Sequence, residues 1–174
     1  MKKIIKLTLT VVCVMFSTSL FAQKFGRINM QEIVFAMPEI QEMQTKLEAV
    51  SKDWSEQLET IQVEFNNQYA NFQKERANLS AAAIQVKESE LQALQIRLTE
   101  LQQVAQQDLQ RQRDELFQPI LQKVNDAIKK VASAGGYTAI FDESMGTMAY
   151  LNESAITDIS ATVRKELGIP ETAK

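Results

Sequence analysis

From Glu39 to Ala134 apolar residues recur three or four positions apart, in two sets. The first is Ile40, Met43, Leu47, Val50, Trp54, Leu58, Ile61, Phe65, Tyr69 and Phe72. The second is Ile84, Leu91, Leu94, Leu98, Leu101, Ala105, Leu109, Leu116, Ile120, Val124, Ile128 and Val131, with Gln, Glu, Lys and Arg at most positions between. Such spacing places each set on one narrow stripe of a helix. A stripe needs a partner, so the two limbs are predicted to fold back on each other as an antiparallel helical hairpin. No glycine occurs between Gly26 and Gly135, and the nearby prolines are Pro38 at the start and Pro119 in the second limb. Little here interrupts a helix. The reversal is placed at 77–81, where Asn78 tolerates a turn and Ser80 can cap a helix opening on Ala81-Ala82-Ala83. At about 1.5 Å per residue the limbs reach roughly 60 and 80 Å, far longer than covering a compact core requires.

Shorter patterns flank this arm. Lys24 to Met30 alternates as a strand does, and Gln31 to Met37 carries a helical turn or two before Pro38, which suits a first helical turn. Gly135-Gly136 is predicted to end the long helix. A strand over Tyr137–Asp142 follows, then a turn at Gly146 into a second strand over 147–151. A closing amphipathic helix is expected from a cap at Asn152 or Ser154, with Ile156, Ile159, Val163 and Leu167 on its apolar face. The expected fold is mainly α with a small β part: an arm over 38–134 and a body from 23–37 and 135–174. So small a sheet has exposed edges, which sharing between subunits would cover. A fold at 79/80 sets Trp54 opposite Ala105. Between Gln102 and Arg113 the stripe thins and Gln112 falls on it, which predicts either flexing or a polar layer. Pro119 deletes one helical hydrogen bond and is the predicted hinge.

The first 22 residues read differently. Lys2, Lys3 and Lys6 precede an apolar run from Leu7 to Phe21 that ends at Ala22, the pattern of a cleaved secretory signal with the cut before Gln23. Leu20, large for the minus-three position, leaves the cut open by a few residues, and an uncleaved membrane anchor is the alternative. Its removal leaves 16 basic against 22 acidic residues, a net charge of −6, which argues against a nucleic-acid surface. The single cysteine, Cys13, leaves with the signal, and the chain has no histidine. Thiol and imidazole chemistry, disulfides and the commonest zinc ligands are excluded, and no cofactor or metal is expected. A phosphate-cradling Gly-rich loop is also missing. Asp142 and Glu143 are the only adjacent acids outside the helices, and a pair at a strand end reads as a turn rather than an active site, so no enzyme is expected.

The order of signal, strand, long hairpin, strands and closing helix resembles the Skp or OmpH family, periplasmic chaperones of outer-membrane proteins. The resemblance covers the whole mature chain. It is carried by Phe25-Gly26-Arg27-Ile28-Asn29-Met30, by Gly136-Tyr137-Thr138-Ala139-Ile140-Phe141-Asp142 with Met148-Ala149-Tyr150, and by Ile156-Thr157-Asp158-Ile159-Ser160. It implies a homotrimer whose strands form one small β-barrel, with three coiled-coil arms around a cavity. Unfolded outer-membrane β-barrel proteins are held there without ATP. On that likeness Phe25, Ile28, Met30, Ile140, Phe141, Ala149 and Tyr150 belong to the trimerisation body. Familiar members of the family are basic, whereas this arm is acidic over Glu39–Glu64, at a net −5, and balanced near its tip. Client capture is therefore expected to rest on apolar contacts from Phe65, Tyr69, Phe72 and Leu79 rather than on charge, which puts lipopolysaccharide binding in doubt. The other reading, favoured for Phe65 and Phe72, buries these aromatics in the hairpin seam. The competing class is a coiled-coil spacer or adaptor of the cell envelope, equally periodic but indifferent to unfolded chains.

Overall fold

The structure is a computed structural model that describes residues 23–146 and 148–170. The predicted signal over residues 1–22 lies outside the described residues. The elements are β1 (Lys24–Ile28), α1 (Met30–Phe35), α2 (Pro38–Glu75), a 3-10 turn (Arg76–Asn78), α3 (Ala81–Gly135), β2 (Tyr137–Asp142), β3 (Thr157–Asp158) and α4 (Ser160–Leu167). They divide into two compact units, one of the described residues through Gln31 together with those from Ala127 onward, the other Glu32–Asp126.

The second unit is the hairpin. Pro38 opens α2, where its missing N–H costs nothing. After the 3-10 turn, the Ser80 hydroxyl accepts the Ala83 N–H at 3.3 Å and its carbonyl accepts the Ile84 N–H at 2.9 Å, so Ser80 caps α3. Two cross-helix contacts and one beside the turn show the antiparallel pairing. Glu39 near the start of α2 meets Lys123 far along α3, Trp54 donates its indole N–H to Asp108 at 3.1 Å, and Arg76 lies 3.7 Å from Glu88 beside the turn. The hydrogen-bond acceptor of Trp54 thus lies one helical turn from Ala105, which is itself buried. Periodicity counts apolar positions, whereas the indole N–H needs an acceptor, and Asp108 supplies it. Every stripe residue of α2 is buried or half-buried except Tyr69, and in the second limb all of them are. Full burial is sparse in α2: only Ile40, Ile61 and Phe72 are buried, and α3 has no buried residue between Ala105 and Ile120. A polar layer occupies that stretch. Asp108 accepts from Trp54, from Gln112 at 2.8 Å and from Arg111, which also reaches Glu115 at 2.9 Å. Hydrogen bonds from Trp54 first, then from Gln112 and Arg111, hold the Asp108 carboxyl below its ordinary value. The helix remains continuous across Pro119.

The first unit is built on a three-stranded sheet in the order β2-β1-β3, with both pairings parallel. Parallel neighbours cannot be joined by a tight turn; here the chain from α1 through α3 makes the β1 to β2 connection. Ile28, Ala127, Val131, Ile159, Val163 and Ile169 are the buried apolar residues of this unit. Arg27 ties the sheet together, donating to both carboxylate oxygens of Glu143 at 3.0 and 3.1 Å and lying 3.6 Å from Asp158. Lys130 of α3 pairs with Glu166 of α4. Where α3 ends, Gly136 takes a φ of 65°, the left-handed cap conformation. The Gly135 carbonyl accepts from Lys24 Nζ at 3.1 Å, and that ammonium lies 4.2 Å from the Tyr137 ring centroid.

Two expectations are corrected. The described part of 147–151 forms no strand; instead β3, at Thr157–Asp158, pairs with the far side of β1. The reason lies in the turn after β2. Asp142 accepts the Met30 N–H, the Ser144 N–H and the Ser144 hydroxyl, Glu143 is held by Arg27, and Gly146 closes onto the Glu143 carbonyl at 3.3 Å. The chain is led away from β2 instead of doubling back along it. The closing helix also begins later, at Ser160. The Asn152 side chain accepts the N–H and hydroxyl of Ser154 in a local turn, and it is Asp158 that accepts the Ser160 N–H at 2.8 Å.

Two tests follow from this unit. A Cβ at Gly135 would lie 2.4 Å from the Tyr137 ring, so Gly135→Ala must displace the ring from Lys24 and is expected to cost about 1–3 kcal/mol in denaturant unfolding. Burial raises the Asp142 carboxyl, but the hydrogen bonds from Ser144 and Met30 outweigh it and leave it below its ordinary value. A depressed native value stabilises the fold above a pH of about 4 and is lost as pH falls through that native value. Asp142→Asn is therefore expected to flatten the acid limb of a stability-versus-pH curve, and an unchanged limb would refute the assignment.

Candidate functional site

The described residues hold no group of three or more potential metal-ligating side chains and no helix long and apolar enough to cross a membrane. Asp142 and Glu143, the adjacent acids, are both engaged in the turn after β2. The feature that asks for a function is apolar surface. In the hairpin unit Val63, Tyr69, Val86, Ile96 and Val104 are each about half exposed, and Phe35 is 65% exposed.

The four apolar residues predicted near the tip divide. Phe65 and Tyr69 stack, with ring centroids 6.1 Å apart and planes within 10°; Phe65 is half-buried while Tyr69 turns outward. Leu79, beside the reversal, is half-buried. Phe72 is 5% exposed, with the Arg76 guanidinium 5.8 Å from its ring centroid. Its position on the α2 stripe turns it inward, so in this structure Phe72 is seam and offers no surface. Tyr69, about half exposed, is the one of the four that is not buried or half-buried. Val63, Val86, Ile96 and Val104 were not singled out by the periodic pattern. The available signal was their being out of phase with it: Val63, Val86 and Ile96 each stand two residues after a stripe position, on the outward side. Val86 and Val104 are about five helical turns apart and share a face.

The residues expected in a trimerisation body divide likewise. Ile28 is buried within its own chain and Met30 and Ile140 are half-buried. Phe25 is half-buried with its ring 6.0 Å from that of Phe141, which is 38% exposed. Ala149 is exposed and Tyr150 is 83% exposed, with Met145 nearby in sequence at 74%. Pro119 lines a groove of the hairpin with Met43, Leu116 and the Glu39–Lys123 ion pair.

Comparison with known proteins gives a consistent result. The family model described as outer membrane protein (OmpH-like) matches residues 24–167. The chain is 26% identical to the chaperone protein Skp of Yersinia enterocolitica over 87% of its own length and 90% of that protein. It is 24% identical to the chaperone protein Skp of Pectobacterium atrosepticum, over 84% and 86%. Among solved structures, an OmpH-like protein from Caulobacter crescentus superposes with a TM-score of 0.71, covering 87% of this chain and 88% of that one. At 14% identity, that likeness supports the fold alone.

The split between seam and surface aromatics is open to measurement. Phe72→Ala is expected to destabilise the hairpin by about 3–5 kcal/mol, whereas Tyr69→Ser, which removes a half-exposed ring stacked on Phe65, is expected to cost clearly less. Equal losses would mean that both rings are packed.

Proposed function

The chain belongs to the OmpH-like outer membrane protein family, and from that premise we propose that it is an ATP-independent periplasmic holdase for unfolded outer-membrane β-barrel proteins. The observation that carries the proposal is the outward apolar set Val63, Tyr69, Val86, Ile96 and Val104 on a hairpin whose other exposed positions are mostly polar. Single apolar residues dispersed among Gln and Glu give many weak footholds rather than one pocket. That suits an extended, unfolded partner, which presents apolar groups without a fixed shape. Binding the unfolded state withdraws it from aggregation by mass action, with no nucleotide needed.

The same reading includes export and assembly. Residues 1–22 act as a signal removed before Gln23, which delivers the chain to the periplasm. Three copies share their sheets in one small barrel and enclose a cavity between their hairpins. In favour of sharing are the outer edge of β2, which among the described residues has no partner strand, and the exposure of Phe141, Met145 and Tyr150. Pro119 is the hinge that lets each hairpin adjust to client size. The protein acts as a binder, not an enzyme.

The test is light scattering after a urea-unfolded outer-membrane β-barrel protein is diluted into buffer with increasing mature protein and no nucleotide. Suppression saturating near three chains per client is expected, changing little with added salt because the residues around the tip are balanced in charge. Absence of suppression by a stable oligomer would leave the spacer reading standing. Suppression that collapses with salt would replace apolar capture by ionic capture.

A further inference from the structure

Gln23 is exposed and lies outside the sheet, immediately before Lys24, the first residue of β1. Lys24 is the clamp at the end of the long helix: its ammonium donates to the Gly135 carbonyl at 3.1 Å and sits over the Tyr137 ring at 4.2 Å. If the signal is cut before Gln23, a premise taken from the reading above, a single residue separates the new terminus from this clamp. Exposed termini are where exopeptidases begin. Loss of two residues would remove the clamp.

We propose that Gln23 is a modification site, and that the mature chain carries a pyroglutamate there which protects Lys24. The freed α-amine of Gln23 attacks the carbonyl carbon of its own side-chain amide. A bond forms between that nitrogen and the side-chain carbon, the bond from the carbon to the amide nitrogen breaks, and ammonia departs with the proton released by the amine. No oxidant, nucleotide or second substrate enters. All reacting atoms belong to Gln23, and because β1 starts one residue later the ring closes without disturbing the pairing of Lys24 with Tyr137. The lactam has no primary amine for an aminopeptidase to grip. It also removes an α-ammonium one residue from the Lys24 ammonium, a like-charge neighbour.

The experiment is mass spectrometry of the N-terminal peptide of the full chain, isolated from the periplasm of the cells that make it, with primary amines labelled at release and before any heating. The expected peptide begins at residue 23, is lighter than its glutamine form by one ammonia and is unlabelled at its α-nitrogen; the peptide from Gln23→Ala is labelled. A peptide that begins at Gln23 with a labelled amine overturns the lactam while leaving the cut in place, whereas a peptide that begins elsewhere overturns both. Protection is read separately by aminopeptidase digestion of the folded proteins. Gln23→Ala is expected to lose Lys24 and then to melt at a lower temperature, with the natural chain unchanged; equal loss of Lys24 from both overturns the protective role.

Discussion

Strand β1 sits at the centre of its sheet, and both of its neighbours come from the last part of the chain. Much of the fold answers to that placement. The pairings are parallel, so the polypeptide must leave β1, make a long connection and return at Tyr137 in register with Lys24. An antiparallel helical hairpin is an economical connection, because two limbs zipped along one seam end near where they began. Arg27, reaching Glu143 after β2 and Asp158 in β3, then holds all three strands from the middle. Backbone bonds repeat the tie, with Glu143 donating to Ile28 and Ile159 donating to Arg27.

A seam one stripe wide buries little. Between Ile40 and Ile61 no residue of α2 is buried, and the facing part of α3 carries Asp108 with its three donors. In a two-helix interface a polar layer specifies which residues face each other at some cost in stability, because any slip leaves hydrogen-bonding groups without partners. Trp54 and Asp108 supply that specification here. The rest of the surface is Gln- and Glu-rich with isolated apolar residues, and the proposed function uses those residues without sacrificing the seam.

Periodicity made the helices legible. The apolar stripes, the absence of glycine and the Ser80 cap place α2 and α3 within a residue or two, and Gly135-Gly136 marks the end of α3 because only glycine takes that φ freely. What stayed hidden was decided by distant contacts. β3 is two exposed residues, Thr157 and Asp158, with no apolar alternation to announce it; it exists because β1 has a free side. The segment 147–151 reads as a strand by composition, yet the side-chain bonds of Asp142 and Glu143 turn the chain elsewhere. The outward valines and Ile96 were legible in principle, as apolar residues out of step with their own helix. Attention to the stripe conceals them.

The topology has a consequence for the order of events when this polypeptide is made or threaded from its N-terminus. The hairpin can close from its reversal, where Ser80 and the Arg76–Glu88 contact join residues close in sequence and the loop to be closed is short. β1 emerges first and waits longest, since its bond to Glu143 spans more than a hundred residues and cannot form until nearly all the chain is available. The strand at the centre of the sheet is therefore among the last to be paired. Through that interval the protein is itself a chain with an uncovered strand, and the hairpin, already closed, has shortened the loop that remains to be closed.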